Sequence, residues 1–171
     1  MSCRVAKAAE KTPMSRRFGI AAVVAGFSLL FAASSQADDL NEDVAQRVEQ
    51  MTDRTFLYRN DSDRIPQLEY LRPDGTGVVW SAALRDKVVP VVWTAGNGED
   101  GKGSLCLSFK GADIGTSQDL KMCDGFDLIE AGIRDVRDGD PYGLLKATRM
   151  KTDLPQDLNS LADVDRLLGQ D

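Results

Sequence analysis

The stretch GSLCLSFKGADIGTSQDLKMC, residues 103–123, holds two of the three cysteines of the chain and decides its fold. Apolar residues alternate with polar ones or cysteine at both of its ends, at Leu105, Leu107, Phe109, Leu120 and Met122. An antiparallel hairpin with Cys106 opposite Cys123 places every one of these apolar side chains on one face and both sulfurs on the other. In this register Leu107 lies opposite Met122, and Phe109 lies opposite Leu120. Directly opposed Cα atoms are roughly 4.5 to 5.5 Å apart, which a disulfide tolerates, so the stretch predicts a disulfide-linked β-hairpin.

The alternatives for Cys106 and Cys123, a redox pair or two metal ligands, fit the sequence less well. The two cysteines are not in a C-x-x-C arrangement, and the chain has no histidine to complete a zinc site. Two thiols alone make a poor structural metal site. We therefore expect a structural disulfide, no metal site and no cofactor.

Residues 1–37 have the features of a secretory signal peptide. Arg16 and Arg17 precede an apolar run over residues 18–33, and a small-residue segment follows and ends at Ala37. The run is shorter than the roughly 20 apolar residues that span a bilayer, which favours a cleaved signal over a stable membrane anchor. We predict cleavage after Ala37 and a periplasmic or secreted location.

Two details of this signal remain open. Met14 is an alternative start, because residues 14–37 already form a complete signal of ordinary length. The segment Ser15-Arg16-Arg17 is also similar to the twin-arginine export signal, although Phe18 follows Arg17 one position earlier than is usual there. The general secretory route is the preferred interpretation.

The predicted mature domain, residues 38–171, is strongly acidic. The first 37 residues hold five of the 21 basic residues but one of the 27 acidic ones, which leaves 16 basic and 26 acidic residues and a net charge of −10. Nucleic acids and anionic membranes bind clustered Lys and Arg, so neither is expected as a partner. The length suits one domain with its own core.

Periodicity predicts a run of strands between two helices. The helices cover residues 40–52, with Asp39 as the cap, and 154–168, with Pro155 in the first turn. Besides the two strands of the cysteine hairpin, strands are predicted over 55–59, 67–72, 77–81, 88–94 and 143–149. Residues 126–136 fit either a strand or a helix, and Gly132 favours the strand.

Two prolines and a glycine refine the strand predictions. Pro73, Asp74 and Gly75 predict a tight turn in which Gly75 takes a positive φ. Pro90 cannot donate to a ladder and so indicates an edge strand or a bulge. With about seven to eight strands, residues 55–149 are predicted to form a small antiparallel β-barrel or curved sheet.

Several of these features together resemble a group of small secreted proteobacterial proteins with a lipocalin-like barrel and no assigned function. The resemblance covers about residues 54–125. It is carried by Thr55-Phe56, Tyr70, Pro73-Asp74-Gly75, Trp93, Gly103, Leu105-Cys106 and Cys123. It implies a lipocalin-like barrel with the disulfide, and it implies no active site.

Little catalytic chemistry is indicated by the sequence. Without histidine, Ser-His-Asp and Cys-His sites are excluded. A pair of carboxylates could act on a glycoside, and Glu69, Glu99 and Glu130 are the candidates. Glu69 alternates with apolar neighbours and is expected to point outward, and Glu99 lies in an acidic loop. We therefore assign no catalytic residue and favour a protein that is not an enzyme.

Five aromatic residues, Phe56, Tyr58, Tyr70, Trp80 and Trp93, either fill the interior or line a cup for a ligand. A filled interior is the preferred interpretation, because eight-stranded interiors are only just wide enough for side chains. If a pocket exists, the sequence places it between Tyr70, Trp80 and Trp93.

Three functions are consistent with the sequence. The first is an exported periplasmic binding or interaction protein that takes a small apolar ligand or an exported protein partner. The second is a small carboxylate-dependent hydrolase of the cell envelope, which requires two carboxyl groups across a cleft with at least one raised pKa. The third is a structural or stress-related envelope protein with neither pocket nor exposed apolar patch.

Overall fold

The computed structural model describes residues 40–59, 65–98 and 101–170. The predicted signal peptide and Asp39 lie outside these ranges. The helices are α1 (Glu42–Met51), α2 (Gly111–Ile114), α3 (Phe126–Gly132) and α4 (Leu161–Leu168). The strands are β1 (Arg54–Arg59), β2 (Pro66–Leu71), β3 (Thr76–Ser81), β4 (Val88–Gly96), β5 (Ser104–Phe109), β6 (Leu120–Gly125) and β7 (Ile133–Asp138). Two short 3-10 helices cover Ala82–Leu84 and Leu144–Lys146.

The strands form an antiparallel sheet in the order β6-β5-β4-β3-β2-β1-β7. The first six follow one another as a meander, and β7 returns to pair with β1. The mainly β prediction is confirmed in the form of an open seven-stranded sheet, with β6 and β7 at its edges.

The connection between the two edge strands shows how strongly the sheet curls. Strand β6 ends at Gly125, α3 follows immediately, and β7 begins at Ile133. A seven-residue helix is only about 10 Å long, whereas the edges of a flat seven-stranded sheet would lie about 29 Å apart. The sheet must therefore curve until its edges approach, with α3 across the gap.

The cysteine hairpin has the predicted register. Cys106 pairs with Cys123, Leu107 with Met122 and Phe109 with Leu120. The disulfide is formed, and the two Cα atoms are 4.0 Å apart, slightly closer than predicted. The structural disulfide is thereby confirmed.

Both faces of the sheet are covered by apolar residues. We call the concave face, under α1 and α3, the inner face, and the opposite face the outer face. The inner cluster contains Val44, Met51, Phe56, Tyr58, Leu71, Val79, Val89, Val91, Trp93, Leu105, Phe109, Phe126 and Ile129. The outer cluster contains Leu57, Leu68, Tyr70, Val78, Trp80 and Val88 with six residues of the C-terminal segment, Tyr142, Leu144, Leu154, Leu158, Leu161 and Val164. The core is therefore two layers, one on each side of β1 to β3.

Residues 126–136 contain a helix followed by a strand, whereas Gly132 favoured a strand throughout. Glycine is present at position 132 because of a close contact and not because of a strand. A Cβ atom on Gly132 would lie 2.3 Å from the ring of Tyr58, so this position needs glycine for packing. The residue therefore marks where α3 passes over β1 and ends.

The C-terminal predictions were wrong in their secondary structure. Residues 143–149 contain a 3-10 helix and a single bridge from Arg149 to Lys87, and no strand. The terminal helix begins at Leu161, where Ser160 and Asp163 form a capping box, so Pro155 precedes it. The apolar residues of 154–160 are nevertheless buried, because this irregular segment packs on the outer face.

Three local expectations can be compared with the structure. The cap of helix α1 is Asn41 and not Asp39 as predicted, because the side-chain oxygen of Asn41 accepts a hydrogen bond from the amide of Val44 at 2.9 Å. Gly75 has the predicted positive φ, 82°.

Pro90 lies in an interior strand with unbroken pairing to β3, which contradicts the edge or bulge prediction. It is tolerated because the ladder with β5 begins one residue later, at Val91.

Candidate functional site

A cavity of about 370 Å³ lies within the curl of the sheet, on its inner face. Its walls come from strands β1, β2, β3, β5 and β6 and from three helical segments. They are Tyr58, Ile65, Gln67, Glu69, Val79, Ser81, Ala83, Leu84, Leu105, Leu107, Phe109, Ile114, Leu120, Met122, Asp124 and Ile129. Cavities that bind small molecules in proteins have about this size.

Most of the wall is apolar because of the alternation in the cysteine hairpin. Strand β5 contributes Leu105, Leu107 and Phe109, and β6 contributes Leu120 and Met122. The two β6 side chains are 45% and 48% exposed, so the wall at this edge strand is open to solvent. A ligand would enter beside β6.

Glu69 is the most unusual residue of the cavity. It pairs with Phe56 of β1 and Val79 of β3, both fully buried, and is itself 5% exposed. Its carboxyl group receives no hydrogen bond from the residues that the structure describes. Burial raises its pKa to about 8, with a further contribution from the negative charge of Asp124. Glu69 is therefore mostly protonated at neutral pH.

Asp124 is the second carboxyl group of the cavity. It continues the inward-facing series of β6 after Leu120 and Met122, pairs with Leu105, and is half-buried. Glu69 and Asp124 are the charged residues in the described lining, and no lysine or arginine belongs to it. The cavity is an apolar chamber with an acidic pair.

The structure does not bring Tyr70, Trp80 and Trp93 together. Tyr70 and Trp80 lie in the outer cluster, and Trp93 lies in the inner one. Each indole donates to backbone carbonyls, that of Trp80 to Arg85 at 2.8 Å and that of Trp93 to Arg72 and Thr76 at 2.9 and 3.1 Å. All three fill the core, and the cavity lies elsewhere on the inner face.

The three carboxylate candidates have different surroundings. Glu69 does lie on the other face of β2 from Leu68 and Tyr70. That face is the wall of the cavity, so the prediction that Glu69 points to solvent was wrong. Glu99 lies outside the described residues. Glu130 is exposed and pairs with Arg47 at 3.3 Å.

Asp124 was missed by the sequence reasoning, although a signal for it existed. The predicted register of the hairpin also places residue 124 on the apolar face, after Leu120 and Met122. A carboxylate in an otherwise apolar series is an unusual choice for a strand face that is buried. Following the register one step further would have identified it.

Two kinds of site are absent from the described part of the chain. It contains no group of three or more acidic or cysteine side chains placed to hold a metal ion. None of its helices has the length and apolar character needed to cross a bilayer.

Comparison with known proteins gives no further guide to the site. No protein family, curated protein or solved structure matches the chain.

Proposed function

We propose that the protein binds a small, mainly apolar molecule in the inner cavity and is not an enzyme. The observation that carries this proposal is the cavity itself, of about 370 Å³, within the curl of the sheet. Apolar side chains supply most of its lining, so transfer of an apolar ligand from water is favourable.

We further propose that the protein works in the periplasm or outside the cell. The disulfide supports an oxidising compartment, since such bonds rarely persist in the cytosol. The proposed signal over residues 1–37 is consistent with this location. The proposed similarity to lipocalin-like proteins is also supported by the meander of strands that curls around a cavity.

A fluorescence titration tests the binding function. N-phenyl-1-naphthylamine, an uncharged apolar probe, should bind the purified protein at one saturable site. Leu107→Trp places extra volume in the cavity and should abolish the signal. Leu145→Trp, at an exposed outer position, is the matched control and should leave binding unchanged. Equal binding by the two variants would place the probe elsewhere and contradict the proposal.

The acidic pair favours a second candidate function, a carboxylate-dependent hydrolase. Such enzymes combine a protonated carboxylic acid with a second carboxyl group, and Glu69, with a pKa of about 8, shares the cavity with Asp124. Hydrolysis of chromogenic glycosides that is lost in Glu69→Gln would support this candidate. Absence of both hydrolysis and probe binding would favour a structural role in the envelope.

A further inference from the structure

We propose that the cavity selects a cationic amphiphile, whose ammonium group lies between Glu69 and Asp124 and whose apolar portion packs along β5 and β6. The inference rests on the proposed binding function and adds the chemical class of the ligand. It is carried by two carboxyl groups that share a mainly apolar lining and are close enough for the charge of Asp124 to act on Glu69.

The charges that face this position come from acidic residues. Glu69 of β2 and Asp124 of β6 are the ionised or ionisable acids, Tyr58 of β1 is the other titratable group, and Gln67 and Ser81 are neutral. The described lining from β5, α2 and α3 contains no ionisable group. The cavity can therefore complement a positive charge, and an anion would add negative charge beside Asp124 in a poorly hydrated space.

Two lysines of the strands and loops beside the cavity do not neutralise the pair. Lys121 alternates with the inward-facing residues of β6 and lies on the face of the sulfurs. Lys110, after β5, is exposed and pairs with Asp119 at 2.8 Å. In the described lining, therefore, no cation pairs with Glu69 or Asp124, and a ligand can complement them.

The burial of Glu69 supports a ligand contact at this carboxyl group. Glu69 is 5% exposed as a residue and has no hydrogen-bond partner among the described residues, and its carboxyl group lines the cavity, where a ligand can contact it. An ammonium group has three donors, enough for both carboxyl groups. An alcohol could bond to Glu69 but would leave the charge of Asp124 unpaired.

Binding should release a proton. In the free protein at pH 7, Glu69 holds its proton because its pKa is about 8. An alkyl amine, like a lysine side chain with a pKa of about 10.4, arrives as the ammonium ion. The O–H bond of Glu69 breaks, its proton passes to the buffer, and the resulting carboxylate accepts an N–H of the ligand. Affinity should rise with pH up to about 8 and then level off.

Calorimetry with three ligands of one chain length tests the inference on the intact protein. Octylamine, 1-octanol and octanoate differ in the head group alone. We expect octylamine to bind at least tenfold more tightly than octanol at pH 7, and octanoate to bind most weakly. Titrations in buffers of different ionisation enthalpy should show close to one proton released with octylamine and none with octanol.

Glu69→Gln and Asp124→Asn each remove one acid with little change in shape. Either should lower the affinity for octylamine about tenfold and leave that for octanol unchanged, and Glu69→Gln should also abolish proton release. Asp157→Asn, an exposed acid on the segment that covers the outer face, is the matched control and should change neither.

The outcomes separate the two proposals. If octanol binds as tightly as octylamine, or if both acid variants keep full affinity for octylamine, the cationic ligand is wrong and the apolar binding function stands. If N-phenyl-1-naphthylamine binds and octylamine does not, the same conclusion holds. If neither the probe nor any of the three octyl compounds binds, both proposals are overturned.

Discussion

Asp165, on the outer side of the sheet, accepts two hydrogen bonds from Arg137 at 2.8 and 2.6 Å, whereas Glu69, on the inner side, accepts none from the described residues. The hydroxyl of Tyr142 also contacts Asp165, at 3.0 Å. The pKa of the Asp165 carboxyl is lowered, chiefly by the hydrogen bonds from Arg137, and that of Glu69 is raised by burial. Two acids in one small domain are therefore shifted in opposite directions.

The opposite pKa shifts of the two acids indicate that the outer face contributes stability and the inner face contains the proposed functional site. On the outer face, apolar side chains fill the space and the acid is satisfied within the protein, so its contribution is to stability. On the inner face a cavity remains, and Glu69 has no hydrogen-bond partner in the described part of the chain, at a cost to stability. Such a cost is typical of a functional site.

The largest effect is expected from Glu69→Gln at alkaline pH. The folded pKa of about 8 exceeds the ordinary value of 4.5, so between these values the folded state holds a proton that the unfolded state has lost. The free energy of unfolding therefore falls as pH rises through this window. The free energy of unfolding of the variant does not fall in this way. The variant should therefore be more stable than the wild type by about 4 kcal/mol at pH 9, and the two should be equally stable at pH 4.

Urea unfolding at the two pH values measures this difference. Glu49→Gln, at an exposed position of α1, is the matched control and should show no such change between pH 4 and pH 9. A Glu69→Gln variant that is no more stable than the wild type at pH 9 would mean that the glutamate is not buried in a poorly hydrated site.

A pair of leucine truncations compares the packing of the two faces directly. Leu68 is fully buried in the outer cluster, and Leu107 is half-buried and borders the cavity. Leu68→Ala should lower the free energy of unfolding by about 3.5 kcal/mol, because it leaves a new void. Leu107→Ala should cost about 1 kcal/mol, since it only enlarges an existing space. Equal costs in urea titrations would show that the inner face is filled like the outer one.

Where the sequence pattern is local, it predicts the structure well. The register of Cys106 with Cys123 follows from alternation on two neighbouring strands, and the turn at Gly75 follows from the need for a positive φ. Neither depends on what packs against the sheet. The apolar wall of the cavity could be predicted for the same reason.

The acidic end of the cavity depends on distant parts of the chain and was not predicted. Glu69 would point to solvent if one face of the sheet were covered, which is the usual inference from alternation. The C-terminal segment around Leu154 and Leu158 covers the face of Leu68 and Tyr70, while the curl of the sheet encloses the face of Glu69, so both faces of β2 are buried. The C-terminal segment has the apolar spacing of a helix, but its residues before Leu161 are irregular.

Removal of the disulfide should weaken the inner face more than the outer one. Cys106→Ser with Cys123→Ser opens a loop whose ends are 17 residues apart, which should cost about 3 kcal/mol. Strand β6 is an edge strand that pairs with β5, so it should lose the most protection. Amide exchange should accelerate most in β6 and least in β2. Uniform acceleration would contradict a local effect.

Thiol labelling provides the control for that comparison. The wild-type protein, denatured without reductant, should show no reactive thiol at Cys106 or Cys123, because both are bridged. Labelling of both residues in the exported protein would contradict the disulfide and the proposed oxidising compartment.

The smallest effect, and the one that completes the comparison of the faces, is expected from Asp165→Asn. Because the pKa of Asp165 is lowered in the folded state, its stabilisation is present above its ordinary value of 3.8 and is lost as pH falls through the folded value. The variant should be about 1 kcal/mol less stable than the wild type at pH 7, a modest figure since Arg137 is 39% exposed and screened by solvent. The difference should disappear at a pH below the folded value, and the exposed control Asp157→Asn should show none at either pH. The same change from acid to amide would thus destabilise the outer face at neutral pH and stabilise the inner face at alkaline pH. An equal loss for Asp165→Asn at both pH values would mean that shape, and not charge, holds α4 against β7.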